Sequence, residues 1–547
     1  MKKTYALGLD FGSLSARAVL LDTDSGATAA GAEYVYPHAV MDKELPDGTP
    51  LPRDYALQHP ADYLEALYTL PKRLLAETGA DPKEIAGVGV DFTASTVLPL
   101  DVSGTPLALT DAFRTDKHAY VKMWKHHAAA AYAEKLLAAA KARGENFLSY
   151  YSDAVSGEWL FPKLWQILDE DPELYEKTAC FIEAGDFMVK LLTGNTTRSA
   201  CFAGYKALWN AEDGFPSKDF LACLDERLQN AVEEKLYGKV LPLGAVAGVV
   251  TPEAAAKTGL AAGTPVATAV IDAHAAFPAS GITGSGRMLL ILGTSSVEML
   301  VDEKKPTGKG VCGVVKDGIL AGFYGCETGQ TCAGDHFDWL VNHFLPAAYE
   351  NEAKTRGISI HELLSEKAAK KRPGETGLLA LDWWNGCRTD LMDDTLTGAL
   401  VGMTLSSRAE DIYRALVEAT AYGIRLAVDV YERAGVRVSA LTACGGMANK
   451  NPFLMQIYAD VLGRPIDVLD DNLACARGSA MYGAVAGSVF ADMTACASRL
   501  AARPVRTYTP EKAHTAVYDQ LYALYLRLHD EAGRAGSVMK TLRTLQN

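Results

Sequence analysis

Two short turns rich in glycine and hydroxyl residues constrain this chain more than any other feature. The first, Asp10-Phe11-Gly12-Ser13-Leu14-Ser15-Ala16-Arg17, joins the apolar runs 5–9 and 19–21. The second, Gly293-Thr294-Ser295-Ser296, joins the apolar runs 288–292 and 297–301. Glycine permits positive φ and close approach of an anion, and the neighbouring N–H and O–H groups converge, so such a turn can cradle phosphate. One copy says little, because hairpins use Gly and Ser for turn geometry alone. Two copies in matching strand context, half a chain apart, imply a duplicated domain that grips a polyphosphate from both sides.

A chain of 547 residues is too long for one core and predicts two sizeable domains. We place them at 1–280 and 281–547, with the boundary inside 275–287. A formal charge of −14 argues against nucleic acid or an anionic membrane as the main partner. It does not forbid an anionic nucleotide, whose field is set by local donors and a metal. Cysteines at 180, 201, 223, 312, 326, 332, 387, 444, 475 and 496 form no CxxC pair and read as small buried residues of a reducing compartment. No apolar stretch approaches the ~18–20 residues that span a bilayer. Lys2-Lys3 ahead of Tyr5-Ala6-Leu7 resembles the start of a secretion signal, but Asp10 cuts the apolar run short. The expectation is a cytoplasmic enzyme or ATP-driven machine.

Strands are expected at 5–9, 16–21 and 27–36, and a buried strand at 87–90 ending on Asp91. A helix at 61–77 has Pro60 in its first turn and Tyr63, Leu64, Leu67, Leu70 and Leu74 on one face, with Pro71 placed to kink or split it. Residues 37–60 hold five prolines and Asp47-Gly48, the composition of an irregular excursion, more a surface loop than a lid. A helix rich in Ala, Lys and His is expected at 124–143. The second half offers a helix at 333–344 and a long one at 408–434, with Ser407-x-x-Glu410 as a capping box and Gly435 as its stop. A strand at 438–443 then leads through Cys444-Gly445-Gly446 to a helix at 452–462.

The common nucleotide motifs are absent: there is no GxxxxGK[ST], and Gly8-Leu9-Asp10-Phe11-Gly12 is not GxGxxG. His126-His127 lacks metal-ligand spacing and reads as a solvated helix face. Asp10 either holds the Mg²⁺ of a bound nucleotide through water or caps its turn. Arg17 either neutralises phosphate or ends a strand at the surface. The glycines of Cys444-Gly445-Gly446-Met447-Ala448-Asn449 either let a flat base lie on backbone, with Asn449 bonding to it, or only cap a helix. Asp272, between the apolar run 266–271 and Ala273-His274, either accepts a substrate hydroxyl proton or is a plain helix N-cap.

Taken together the residues resemble the FGGY carbohydrate kinases from residue 5 to about 506. The specific match is Gly398-x-Leu400-x-Gly402-Met403, seven residues, then Asp411-Ile412-x-x-Ala415-Leu416-Val417-Glu418. Leu9-Asp10-Phe11-Gly12-Ser13, Ala56-Leu57-Gln58-His59-Pro60, Met123-Trp124-Lys125-His126-His127-Ala128 and Leu381-Asp382-Trp383-Trp384-Asn385-Gly386 narrow it to the branch that acts on L-ribulose. Many family members carry Asp where His126 stands, so pocket roles from other branches do not transfer to that segment.

The resemblance implies an α/β fold of two actin-like (ribonuclease H-like) ATPase domains with an active-site cleft between them. It implies ATP and Mg²⁺ as cofactors and phosphorylation of L-ribulose to L-ribulose 5-phosphate in arabinose catabolism. D-ribulose, xylulose or ribitol are the alternative acceptors, and a non-catalytic actin-like nucleotide-binding protein the remote one. By motif, Gly12, Ser13, Ser15 and Arg17 form the first phosphate loop, with Asp10 near Mg²⁺. Gly293, Thr294 and Ser295 form the second, and Gly334, Asp338, Gly445, Gly446 and Asn449 line the nucleotide site. Asp272 is the implied base, and Ala94, Lys206 and Glu327 touch the sugar with it. Implied partners are the small sugar and ATP, with no nucleic acid and no membrane, and with a homodimer left open.

Overall fold

The computed structural model describes residues 4–308, 310, 311 and 313–546, so Lys2, Lys3 and Cys312 lie outside the described residues. Two sheets repeat one plan. The first holds β1 (Tyr5–Phe11), β2 (Ser15–Asp22), β3 (Thr28–Val35), β4 (Ile85–Phe92), β5 (Val246–Val249) and β6 (Pro265–Ala267) in the order β5-β6-β4-β1-β2-β3, with β7 (Val270–Ile271) also pairing β4. The second holds β8 (Arg287–Leu292), β9 (Ser296–Asp302), β10 (Gly313–Lys316), β11 (Tyr324–Gln330), β12 (Ala440–Cys444), β13 (Ile466–Val468) and β14 (Arg506–Tyr508) in the order β10-β11-β9-β8-β12-β13-β14.

Read outward from the hairpin, β3-β2-β1-β4-β6-β5 and β11-β9-β8-β12-β13-β14 share the pairing sequence antiparallel, antiparallel, parallel, parallel, antiparallel. The duplication inferred from two turns is thus a duplication of whole sheets. Each glycine hairpin joins the first two strands of its copy, and its tip closes alike, through Gly12 N–H to Ser15 O at 2.9 Å and Gly293 N–H to Ser295 O at 3.0 Å.

The helices that matter here are α1 (Pro60–Thr78), α2 (Ala130–Arg143), α3 (Asp272–Ala279), α4 (Asp335–Phe344), α5 (Ala409–Arg433), α6 (Pro452–Leu462) and α7 (Ala474–Ala486). Although α7 belongs to the second half of the sequence, it packs on the first sheet. A Cβ at Gly8, Gly87 or Gly89 would fall 1.9, 2.0 or 1.8 Å from the carbonyl oxygens of Ala476, Gly483 or Ser479. On its other side, a Cβ at Gly478 would fall 1.8 Å from Ala275 O of α3. Backbone rests on backbone along this seam, which no side chain could enter.

Segments on both sides of β4, from between β3 and β4 and from between β4 and β5, build a third unit. Strands Leu57–Gln58, Val121–Lys122, Val97–Leu100 and Cys180–Glu183 form a small sheet, and helices including α2 close a separate core around Tyr55, Tyr132, Leu136, Trp159, Leu164 and Phe220.

Several local expectations need correction. Residues 37–60 are no mere surface loop, since Met41, Leu45, Tyr55 and Leu57 join that third core and residues 57–58 pair with 121–122. α1 runs unbroken through Pro71, because burial of Leu67, Leu70, Pro71 and Leu74 outweighs one lost backbone bond. The helix expected at 124–143 starts only at Ala130. The long helix is capped one residue later than proposed: Arg408 N–H donates to Asp411 Oδ2 at 2.9 Å, Ser407 Oγ instead accepts Thr404 N–H, and Glu410 accepts the Tyr349 hydroxyl. Of the described cysteines, all free thiols, Cys223 is exposed rather than buried. Among the described residues no helix is long and apolar enough to cross a membrane.

The seam makes a direct prediction. Gly89→Ala should cost about 3 kcal/mol or more through overpacking, a fall in Tm of roughly 5–10 °C. Gly284→Ala, whose methyl meets nothing within 4 Å, should leave Tm nearly unchanged in the same thermal melts. Equal melting of the two variants would refute this account of the interface.

Candidate active site

Three parallel strands deliver three carboxylates to one end of the first sheet. Asp10 near the end of β1 sits opposite Asp91 in β4, Asp91 sits opposite Val270 in β7, and Asp272 follows β7 directly. Asp91 is fully buried; its Oδ2 accepts Ser479 Oγ–H of α7 at 2.5 Å, and its Oδ1 finds no donor. Burial, then the Asp10 charge, pushes Asp91 well above the carboxylate range. A proton on Asp91 lets its orphaned oxygen donate to Asp10, so the two carboxyls share one proton. Asp10 is itself raised by burial, against the pull of Asp91 and Arg17.

Asp272 is the first residue of α3, where Ile271 occupies the cap position, so it is not the N-cap. Its Oδ1 accepts the adjacent Ala273 N–H at 2.7 Å, and the residue stays partly open to the cleft. Burial, with the Asp10 charge adding to it, lifts its carboxyl to about 7, against Ala273 N–H and Lys206. A carboxylate poised there can exchange a proton with an alcohol near neutral pH.

Beside Asp272 lies a cluster that joins the lobes. Lys206, at the end of helix Ala200–Lys206, stands 3.5 Å from Glu327 Oε1 of β11, and His274 Nε2 lies 2.8 Å from Glu327 Oε2. Burial alone would raise Glu327, yet Lys206 and then His274 hold it well below the usual range. Ala94 lies in the turn after β4, where Ser95 adopts φ 52°. That turn is braced from beneath. Lys163 Nζ donates to the carbonyls of Ser95, Met123 and Lys122 at 2.5, 3.0 and 3.2 Å, and Glu183 Oε2 accepts Thr96 N–H at 3.0 Å.

The first hairpin is held by its neighbours. Trp124 Nε1–H donates to Ser13 Oγ at 3.0 Å, and Gln58 Nε2–H to Ser13 O at 2.8 Å. Ser15 and Arg17 both engage Glu33, at 2.8 and 3.1 Å, so Arg17 is paired rather than free. At the second hairpin Thr294 and Ser295 are exposed, and Gly334 N–H donates to Gly293 O and Thr294 O at 3.0 and 2.9 Å. Burial and Asp338 push the neighbouring Asp335 up, while Lys125 of the first lobe pulls against them. Trp124 thus touches the first hairpin, and its neighbour Lys125 lies within electrostatic reach of Asp335, which follows the second.

The other residues expected to line a nucleotide lie beside the second sheet. Gly445 has φ 97°, and a Cβ there would fall 2.4 Å from Leu292 O, just before the second hairpin. Gly446 is exposed at the start of a short helix, and Asn449 N–H donates to Gly445 O at 3.2 Å while its own Oδ1 is buried without a partner. Asp338 on α4 pairs with His361 at 3.1 Å.

His126 and His127 depart from expectation. His126 is fully buried, with Nε2 2.9 Å from Gln166 Oε1, whereas His127 is exposed, and neither lies in a helix. Among the described residues one trio, His38, His59 and Asp62, has metal-ligand spacing. Its members already serve the fold: His59 Nδ1 accepts Ala61 N–H at 3.2 Å and caps α1, and His38 Nδ1 pairs with Asp62 at 2.7 Å. Asp91, Lys163, Glu183 and Trp124 were missed as site residues. Asp91 left a signal by closing its apolar run as Asp10 closes its own, and Trp124 stands in a segment that carries the resemblance.

Two lobes of this topology, with a phosphate-type hairpin in each and a carboxylate in the cleft between, define an ATP-dependent kinase of the actin-like fold. The chain belongs to the FGGY family of carbohydrate kinases: residues 5–277 match the N-terminal domain of that family and residues 288–487 its C-terminal domain. It is 49% identical over 539 residues to a Bacillus licheniformis protein named ribulokinase, covering 98% of each chain. It is 42% identical to one of the same name from Mycolicibacterium smegmatis, covering 99% of this chain and 96% of that one. Among solved structures, xylulose kinase from Rhodospirillum rubrum matches with TM-score 0.79 and 25% identity over 97% of this chain and all of that one. Plasmodium falciparum glycerol kinase with ADP matches in fold, with TM-score 0.76 and 15% identity over 96% of this chain and 98% of that one.

The elevated Asp272 carboxyl sets a pH signature. With Asp272 as the base, the acid limb of kcat/KM for an alcohol substrate should show one ionisation at or slightly below pH 7, because a protonated carboxyl cannot accept the alcohol proton. A profile flat from about pH 5 to 8 would remove this group from the rate equation.

Proposed function

We propose that this chain transfers the γ-phosphoryl group of ATP to the terminal hydroxyl of L-ribulose, giving L-ribulose 5-phosphate and ADP. The observation that carries the reading is Asp272, a carboxylate partly open to the interlobe cleft, within electrostatic reach of Asp10 on the phosphate side and of Lys206 and Glu327 on the sugar side. Full-length relatives named ribulokinase support the choice of sugar.

In this reading Asp272 orients the terminal hydroxyl and takes its proton as the oxygen bonds to the γ-phosphorus and the bond to the β-phosphate oxygen breaks. The transition state is loose, so positioning and charge neutralisation supply most of the acceleration. Gly12, Ser13 and Ser15 line the phosphates from one lobe, and Gly293 with the exposed Thr294 and Ser295 lines them from the other. Gly334, Asp338, Gly445, Gly446 and Asn449 line the nucleoside side. Lys206 and Glu327 bind sugar hydroxyls, donor beside acceptor, over the turn that carries Ala94.

Asp10 would hold Mg²⁺, a hard cation that takes oxygen ligands and keeps several waters, and the proton shared with Asp91 would leave as the cation's charge arrives, turning the Asp91 oxygen from donor to acceptor. Mg²⁺ there supplies positive charge against the phosphate oxygens. Closure of the lobes excludes water, the competing acceptor.

Two measurements test the proposal. Asp272→Asn should reduce kcat by at least about a thousandfold, the upper part of the range for base removal and misorientation combined, while ATP binding by calorimetry persists. Near-normal turnover by this variant would end the assignment. In a panel of ketopentoses and pentitols, L-ribulose should give the highest kcat/KM. A tenfold preference for xylulose, about 1.4 kcal/mol of transition-state discrimination, would transfer the activity to that sugar.

A further inference from the structure

His274 lies two residues beyond Asp272, is wholly buried, and has no role in the reaction as just described. Its ring makes three contacts. Nε2 is 2.8 Å from Glu327 Oε2, Nδ1 is 3.0 Å from Cys201 Sγ, and the Tyr205 ring packs on it at 4.4 Å between centroids. The geometry points to His274 as a positioning residue that fixes the Glu327 carboxylate for the sugar, with Cys201 fixing the imidazole in turn. The inference rests on the proposed sugar site and deepens it.

Each hydrogen in this relay follows from its neighbours. An ionised carboxylate only accepts, so the proton of a neutral imidazole must sit on Nε2 and point at Glu327. Nδ1 is then a bare lone pair that needs a donor, and the Cys201 thiol is the group that meets it. Burial pushes the Cys201 thiol well up, so it keeps its proton, and burial holds His274 below its usual range, so the ring stays neutral. The chain of donors therefore runs one way, from Cys201 through His274 to Glu327.

Glu327 Oε2 is thereby anchored, which leaves Oε1, 3.5 Å from Lys206 Nζ, for a hydroxyl of the substrate. Cys201, Lys206 and His274 belong to the first lobe and Glu327 to β11 of the second. The carboxylate gains its orientation only where the lobes meet. His274 would thus act on sugar binding and not on phosphoryl transfer, although it shares a helix with the base.

The test uses the full chain and the panel sugar with the highest kcat/KM. An error in the choice of L-ribulose then shows in the panel, and an error in the relay shows in the variants. His274→Leu fills the space without a donor and should raise the sugar KM at least tenfold, with kcat and the ATP KM within threefold of the unmodified chain. His274→Gln restores an N–H toward Glu327 and should bring the sugar KM back to within threefold. Introduced into Glu327→Gln, His274→Leu should add less than twofold, because its effect passes through that carboxylate. A sugar KM within twofold in His274→Leu, a His274→Gln variant no better than His274→Leu, or full additivity with Glu327→Gln would each overturn the assignment. Should His274→Leu fail to fold, Cys201→Ser and Cys201→Val decide. The hydroxyl should keep the sugar KM within twofold and the valine should raise it at least threefold, while equal values refute the relay.

Discussion

The contact on which the site depends is the seating of α7 against the first sheet, backbone on backbone. Glycine at positions 8, 87 and 89 lets the helix sink until its carbonyls occupy the space that side chains would take. At that depth Ser479 reaches Asp91, and Gly478 lets the same helix meet α3, which begins with Asp272. A helix from the second half of the sequence thus sets the height of strands from the first. A gap of even one methyl group would separate Ser479 from Asp91 and shift the start of α3 relative to Asp10. Dense interiors tolerate such changes poorly.

Electrostatics then follows from burial. Three carboxylates at the ends of neighbouring parallel strands cannot all be ionised in a dry place. Asp91 yields, holding a proton, and Asp272 is lifted into the range where an alcohol's proton can be exchanged. Across the cleft the opposite outcome holds: Glu327 keeps its charge because Lys206 and His274 compensate it. The same amino-acid class is a proton holder in one place and a fixed anion in the other, and the difference is the company each keeps.

What the sequence disclosed divides along the range of the interactions. The hairpins were legible because glycine and serine in a turn act locally, and the doubling of the fold followed from finding two of them. Asp272 stood between two readings, base or cap, until the family resemblance was admitted. The structure removes the cap reading by placing Ile271 in that position. Lys163 and Glu183 left no local trace, since their partners Ser95 and Thr96 lie 68 and 87 residues away. Ser407 misled because its spacing to Glu410 fits a capping box, whereas Asp411 one residue on takes the role. His126 looked like a surface residue for want of any sign that Gln166 would cover it.

Three parts of the chain converge on the proposed sugar site: the first sheet supplies Asp272, the second sheet Glu327, and the third unit braces the turn of Ala94 through Lys163. No single one of them owns the acceptor's shape. Retargeting such an enzyme by exchanging one block for a relative's would therefore misalign the other two, and drift toward a new pentose is expected to proceed by small matched changes spread over all three.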